Sequence, residues 1–320
     1  MKAFRVFCLV ILTMMLLLPV TAQSPKKANV FLLISGSLGD KGFNDSARAA
    51  LDLIKQNYGT NVTLKYTELG TDVAKFAPSL EDAGAEGYDV VFCSNNFNSA
   101  VQEVAPRYPK TLYVMYDGWI NEDISNVYSI QYKNSEAGYL AGALAGLMTK
   151  FTTDTKINSN NIIGFIGGRD ITGINDFFVG YIAGAQKVNP SIKIIYNYVN
   201  SFTDTAKAKD QVLIQYKSYN ADIIYHAAGR AGLGVFDAAV ETGKYAIGVD
   251  TDQASLFPNE PKKAELILTS TMKRVDLTLY QAFEKFMNGE KLGGKKVYVG
   301  ASEGVIALSL IHISEPTRPY

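Results

Sequence analysis

The sequence predicts an α/β protein built as two successive doubly wound lobes. Short apolar runs alternate with amphipathic stretches along the whole chain, the rhythm of parallel βαβ units. Runs such as VFLLI at 30–34 and IIGFI at 162–166 are almost continuously apolar, as strands covered on both faces require. The pattern also restarts after a glycine-rich stretch near the middle, and a length of 320 residues suits two domains of ordinary size.

The first half offers strands at 29–35, 63–68, 89–93, 111–116 and 127–132. Between them, residues 44–57 place Ala47, Ala50, Leu51 and Ile54 at helical spacing, and 74–86 and 98–105 read as two further helices. Residues 136–149 form a helix rich in small side chains (Gly138, Ala141, Gly142, Ala143, Ala145, Gly146), which demands a closely packed partner. Residues 150–161 are polar and read as a surface loop. The second half repeats the theme, with strands at 161–166, 193–199, 222–226 and 245–249 and helices at 175–189, 205–219 and 234–242. Residues 272–288 give a last long amphipathic helix. The expected lobes are 28–134 with 254–289, and 135–253 with 290–307.

Both ends stand apart from this pattern. Lys2 and Arg5, an apolar run to Val20 and small residues around Ala22 make residues 1–22 a secretory signal peptide. The apolar run is short for a membrane anchor. Residues 308–320 open on LSLIHISEPTR, which reads as a translated sequencing adapter, so that His312 drops out of any functional set.

Composition excludes several classes. Hydrophobic residues make up 47%, enough for two cores, and no internal run is long enough to span a membrane. Lys and Arg number 31 against 31 Asp and Glu, and loss of the leader leaves a slightly acidic chain with no basic stripe, which argues against nucleic-acid binding. Cys93, in the apolar run at 90–93, reads as a buried inert thiol without a disulfide partner. One natural histidine and one cysteine outside the leader are too few for a zinc site, and no cofactor motif is present.

In open parallel sheets ligands sit beyond the carboxyl ends of the strands. The residues there are the 36–44 segment with Asp40, Phe43 and Asn44, then Asp117-Gly118-Trp119, Gly167 to Asp170, Asn200 to Asp204 with Phe202, Ala228 to Gly232 with Gly229, and Asp250 to Gln253. Each set mixes glycines with acids, amides or aromatics. Carboxylates accept hydrogen bonds from sugar hydroxyls or base N–H groups, aromatic faces stack on a flat base, and glycines let backbone amides approach. The competing reading is that each Asp or Asn only caps the helix that follows.

These residues resemble those of a known family. The DKGFN turn at 40–44, Tyr116-Asp117, Gly167-Gly168, Ser201-Phe202-x-Asp204, Ala228-Gly229-x-x-Gly232, IGVDTDQ at 247–253 and Ser270-x-x-Lys273-Arg274 stand in the order seen in the basic membrane protein family of ABC-transporter substrate-binding proteins. The resemblance spans residues 29–307. It implies the type I periplasmic-binding-protein fold, two Rossmann-like lobes joined by a three-strand hinge. It also implies an extracytoplasmic, monomeric receptor that passes a purine nucleoside to an ABC permease. Carried over residue by residue, Phe43 and Phe202 would sandwich the base. Asp117, with Asp40 or Asn44, would bond its edge. Asp250 and Gly229 would hold ribose hydroxyls, with Lys273 paired near Asp250. Many members are lipoproteins with a cysteine at the cleavage point, and this chain has none there.

Two alternatives compete. The same fold could serve a sugar or another small polar ligand, as a receptor or a sensor. A hydrolase could use Ser302 in Gly300-Ala-Ser-Glu-Gly304, which matches a nucleophile-elbow pattern, but His226 lies upstream, the wrong order for that chemistry.

Overall fold

A computed structural model describes residues 27–309. The leader with Cys8, and the tail beyond Ser309, lie outside the described residues. Within them, two six-stranded sheets carry the fold. The first contains β1 (Ala28–Ile34), β2 (Val62–Glu68), β3 (Val90–Ser94), β4 (Leu112–Tyr116), β5 (Val127–Tyr132) and β11 (Lys296–Val299), in the order β11-β5-β4-β3-β1-β2. The second contains β6 (Ile162–Gly167), β7 (Lys193–Tyr198), β8 (Ile223–Ala227), β9 (Tyr245–Asp250), β10 (Ile267–Lys273) and β12 (Ile306–Leu308), in the order β12-β10-β9-β8-β6-β7. Every pairing is parallel except β10 with β12.

The helices are α1 (Phe43–Tyr58), α2 (Phe76–Ala85), α3 (Asn98–Val104), α4 (Asn134–Met148), α5 (Thr172–Val188), α6 (Thr205–Lys217), α7 (Leu233–Thr242), α8 (Pro261–Leu266) and α9 (Val275–Met287). Their faces follow from residue spacing. Ala47, Ala50, Leu51 and Ile54 of α1 are buried as one stripe. Along β1, Val30, Leu32 and Ile34 enter one core cluster while Phe31 and Leu33 enter another. Successive side chains of a strand point to opposite faces, so an all-apolar β1 must be covered on both.

The small residues of α4 meet α5. A Cβ on Gly142 would stand 2.0 Å from the Tyr181 carbonyl oxygen, so the two helix backbones approach as closely as the sequence required.

The chain crosses between lobes three times: from β5 to α4 at Lys133, from β10 to α9 at Arg274, and from β11 to β12 through 300–305. The lobe boundaries differ from the expected ones. Residues 254–273 belong to the second lobe, because β10 pairs in parallel with β9 from Ile267↔Ala246 to Met272↔Asp250. Residues 296–299 belong to the first, because β11 pairs with β5. The last helix accordingly begins at Val275, since Met272 and Lys273 close a strand, and it packs on α1 of the first lobe. The segment assigned to an adapter begins inside β12: Leu308 pairs with Thr271, and Ser309 Oγ accepts a hydrogen bond from the Ser270 amide at 2.9 Å.

Candidate functional site

The carboxyl ends of the strands meet at the seam of the lobes, around one buried lysine. Lys273 closes β10, is only 4% exposed, and places Nζ 3.1 Å from Asp117 Oδ2 and 3.7 Å from Asp250 Oδ1. Asp117 follows β4 in the first lobe, and Asp250 ends β9 in the second. The same ammonium lies over the ring of Phe43 at 4.7 Å and over those of Tyr132 and Phe177 at 5.4 Å each. Tyr116 also packs against Phe43, with ring centroids 5.4 Å apart.

Backbone geometry aims the carboxylates. Asp117 has φ 58° and Asp250 φ 69°, the left-handed region that aspartate tolerates better than most residues. Asp250 turns off β9 at its last residue and Asp117 just past the end of β4, so that their side chains reach the seam. Gly42 of the first lobe makes room for Asp250: a Cβ there would stand 3.2 Å from Asp250 Oδ2.

The cluster is electrostatically unbalanced, with more acid than base. Burial, followed by the nearby Asp40 and Asp117, outweighs the pull of Lys273 and pushes the Asp250 carboxyl up to about 6. Burial works to lower Lys273, but Asp117 and Asp250 together hold it above its ordinary value, so the ammonium stays charged. Asp176 on α5 is also shifted upward, by burial and by Asp117. Asp117 Oδ1, Asn44 Oδ1 and Asp250 Oδ1 are buried acceptors that accept no hydrogen bond among the described residues, although Asp250 Oδ1 is ion-paired with Lys273 at 3.7 Å.

The chain matches, over residues 27–317, the profile of the Bmp family, described as ABC transporter substrate-binding protein PnrA-like. It belongs to this family. It is 32% identical to a CD4+ T-cell-stimulating antigen of Listeria monocytogenes, over 86% of this chain and 78% of that protein. It is 30% identical to basic membrane protein D of Borreliella burgdorferi, over 88% of this chain and 78% of that one. Among solved structures, an ABC transporter solute-binding protein from Aeropyrum pernix K1 superposes with a TM-score of 0.78 at 26% identity, covering 88% of this chain and 76% of that one. The Bmp protein described here is thus an ABC-transporter substrate-binding protein of type I fold, a class that binds small molecules and works with a membrane permease.

Within this Bmp fold the expected site residues fall into three groups. Phe43, Asp117, Asp250 and Lys273 come together as described. Asp40 and Asn44 flank them, with different duties. Both Asp40 oxygens are taken by backbone donors, Oδ1 by Gly42 at 3.0 Å and Asp45 at 3.2 Å, and Oδ2 by Asn44 at 2.9 Å. Asp40 therefore holds the turn that starts α1, as the capping reading anticipated. Phe202 and Gly229 form the third group, farther along the same edge of the second sheet. The Phe202 ring sits over Gly168, where a Cβ would stand 2.3 Å away, and its Cβ lies 3.6 Å from the Cβ position of Gly229. The Arg169 guanidinium lies 5.7 Å from that ring.

Tyr132, Phe177 and Asp176 were not expected at the site. Tyr132 ends β5, so the strand-end rule could have found it. Phe177 carries no such signal: with Gly180, Tyr181 and Gly184 it reads as the inner stripe of a packed helix. The hydrolase elements lie apart. Ser302 Oγ donates to Glu303 at 2.7 Å at the exposed hinge crossing, while His226 is wholly buried in the second lobe, bonded to Gln253 and pushed down to about 4 by burial.

Proposed function

We propose that this protein is the extracytoplasmic, monomeric receptor of an ABC importer and that it captures a purine nucleoside between its lobes. The observation that carries this reading is the juxtaposition of an aromatic face, Phe43, with buried carboxylate oxygens that accept no hydrogen bond from the protein, Asp117 Oδ1 and Asp250 Oδ1, the latter held only by its 3.7 Å ion pair with Lys273. An unsatisfied buried acceptor is costly, so the preferred ligand brings its own donors. A nucleoside supplies both complements in one molecule: a flat π-face for Phe43, and hydroxyl and base N–H donors for the carboxylates. A free sugar supplies donors but no flat heterocycle.

In this arrangement the base lies between Phe43 of the first lobe and Phe202 of the second. Asn44 and Asp117 read its edge. Asp250, held beside Lys273, takes ribose hydroxyls with backbone help at Gly229. Asp40 shapes the loop that presents Phe43, since three backbone amides already occupy most of its acceptor capacity, and any bond it makes to the base edge is a lesser one through Oδ2. The chemistry is recognition only, with no bond made or broken.

Thermal-shift titration tests the reading. A ligand at a hundred times its dissociation constant stabilises the bound fold by about 2.7 kcal/mol. Inosine, guanosine and adenosine are expected to raise Tm well above ribose at equal concentration. A ribose shift equal to that of the nucleosides would remove base recognition from the proposal.

A further inference from the structure

The two loops that carry the ligand-facing side chains also grip each other, through atoms that touch no ligand. Lys41 lies between Asp40 and Phe43, in a turn fixed by Asp45, whose carboxylate accepts from the amides of Gly39 at 2.8 Å and Lys41 at 2.9 Å. The Lys41 carbonyl then accepts two hydrogen bonds from the other lobe: from Thr251 Oγ1 at 2.9 Å and from Gln253 Nε2 at 3.0 Å. Lys41 Nζ reaches across in turn, donating to the Leu256 carbonyl at 3.0 Å and lying 5.0 Å from the Phe257 ring centre. Lys41 itself has φ 51°, unusual for a residue with a side chain, and the turn that holds it there points its carbonyl at the second lobe.

The Gln253 amide is oriented by its own lobe. Its oxygen accepts from the Val249 amide at 2.9 Å, and a backbone N–H can only donate. The –NH2 end must therefore face Lys41. His226 Nε2, 3.0 Å from the same oxygen, must carry the ring proton, and the burial that keeps the imidazole neutral preserves that tautomer. Gln253 is 1% exposed, and its own amide is tied to Ser270 Oγ at 3.1 Å. The donor is thus set in place before the lobes meet.

We propose that Thr251 and Gln253 are positioning residues for ligand retention: by seizing the Lys41 carbonyl they latch the two lobes together and set the rate at which ligand leaves. The inference rests on the two-lobe binding reading above. Thr251 and Gln253 lie one and three residues beyond Asp250, and Lys41 two before Phe43. The latch therefore forms when Phe43 and Asp250 close on a ligand. Contacts made only after encounter act on dissociation rather than on association.

Stopped-flow binding of inosine to the wild type, Thr251→Val, Gln253→Met and Thr251→Ser tests this. Each lost donor is expected to speed dissociation about fivefold, with the association rate within about twofold of wild type, and the serine variant restores slow release because it keeps the hydroxyl. An unchanged dissociation rate in Thr251→Val, or a serine variant as fast as the valine one, overturns the latch. Should the wild type bind no nucleoside, the ligand reading fails and the latch is decided separately. Spin labels at Asp52→Cys and Asp210→Cys, exposed positions in opposite lobes, report the interlobe distance in ligand-free protein. Thr251→Val is expected to shift that distribution to longer distances, and an identical distribution overturns the proposal.

Discussion

Asp250 ends β9 with a left-handed backbone and a carboxylate wedged between Lys273, Asp117, Asp40 and the Gly42 backbone. Its raised value near 6, against an ordinary 3.8, has two consequences of opposite sign. For stability, the folded state holds this proton more tightly than the unfolded chain, so Asp250 contributes stability that declines as pH rises from about 4 to about 6. For binding, only the ionised carboxylate is a pure acceptor for ribose hydroxyls, so affinity declines as pH falls through about 6. At pH 5, nucleoside Kd is expected to be about tenfold weaker than at pH 7. Asp250→Asn, which keeps one acceptor oxygen and cannot titrate, should bind more weakly at pH 7 with a profile flat across this window. Titration calorimetry at several pH values checks this, and a wild-type Kd that does not vary between pH 5 and 7 would refute the assignment. At this scale the strand-end rule located Phe43, Asp117 and Asp250, because topology alone puts those positions at a seam. Lys273 was legible only through the family resemblance. Phe177 was hidden because a ring facing a buried ammonium and a ring facing a core look alike in sequence.

The α4–α5 pair shows what is decided at the scale of elements. Gly138, Gly142 and Gly146 declared that something must approach α4, and the approaching helix is α5, with Gly180 and Gly184 facing back. Phe177, which leans on Lys273, lies on α5, so this contact sets the depth of one wall of the site. Gly142→Ala would drive a methyl group into the Tyr181 carbonyl, where there is no side chain to swing away. A loss of about 2–3 kcal/mol in urea unfolding is expected, with the slope unchanged. A loss below about 0.5 kcal/mol would mean that the helices separate freely and that their spacing is not imposed by packing. Most strands were legible to within a residue or two, from their apolar runs. β10 was not, because its centre is Thr269-Ser270-Thr271, wholly buried yet polar. Their hydroxyls are satisfied inside the fold: Thr271 with Tyr225 at 2.9 Å, Ser270 with the Gln253 amide at 3.1 Å, and Thr269 with Ser309 at 3.2 Å. The strand's apolar run is only the short one at 266–268, at its start, and with its hydroxyl-lined centre unread, residues 254–273 were assigned to the wrong lobe.

For the whole molecule, three short segments join the two lobes among the described residues, at Lys133, Arg274 and 300–305, and one hydrophobic cluster takes in residues of both lobes. Beside these crossings the seam holds paired charges, rings and the Lys41 latch. The balance between separated and joined lobes is therefore set at the seam, where a ligand can tip it. A ligand that touches both Phe43 and Asp250 favours the joined arrangement by its full difference in affinity, and one that touches a single lobe favours neither. Small-angle scattering separates these cases. At saturating inosine the radius of gyration is expected to fall, whereas in Lys273→Ala, which leaves Asp117 and Asp250 facing each other uncompensated, it should stay near the ligand-free value. A hundredfold preference for the joined state corresponds to about 2.7 kcal/mol, enough to convert an evenly divided population almost completely. A radius of gyration that inosine leaves unchanged, in a sample shown to bind it, would mean that the lobes are already fixed and that the permease recognises something other than closure.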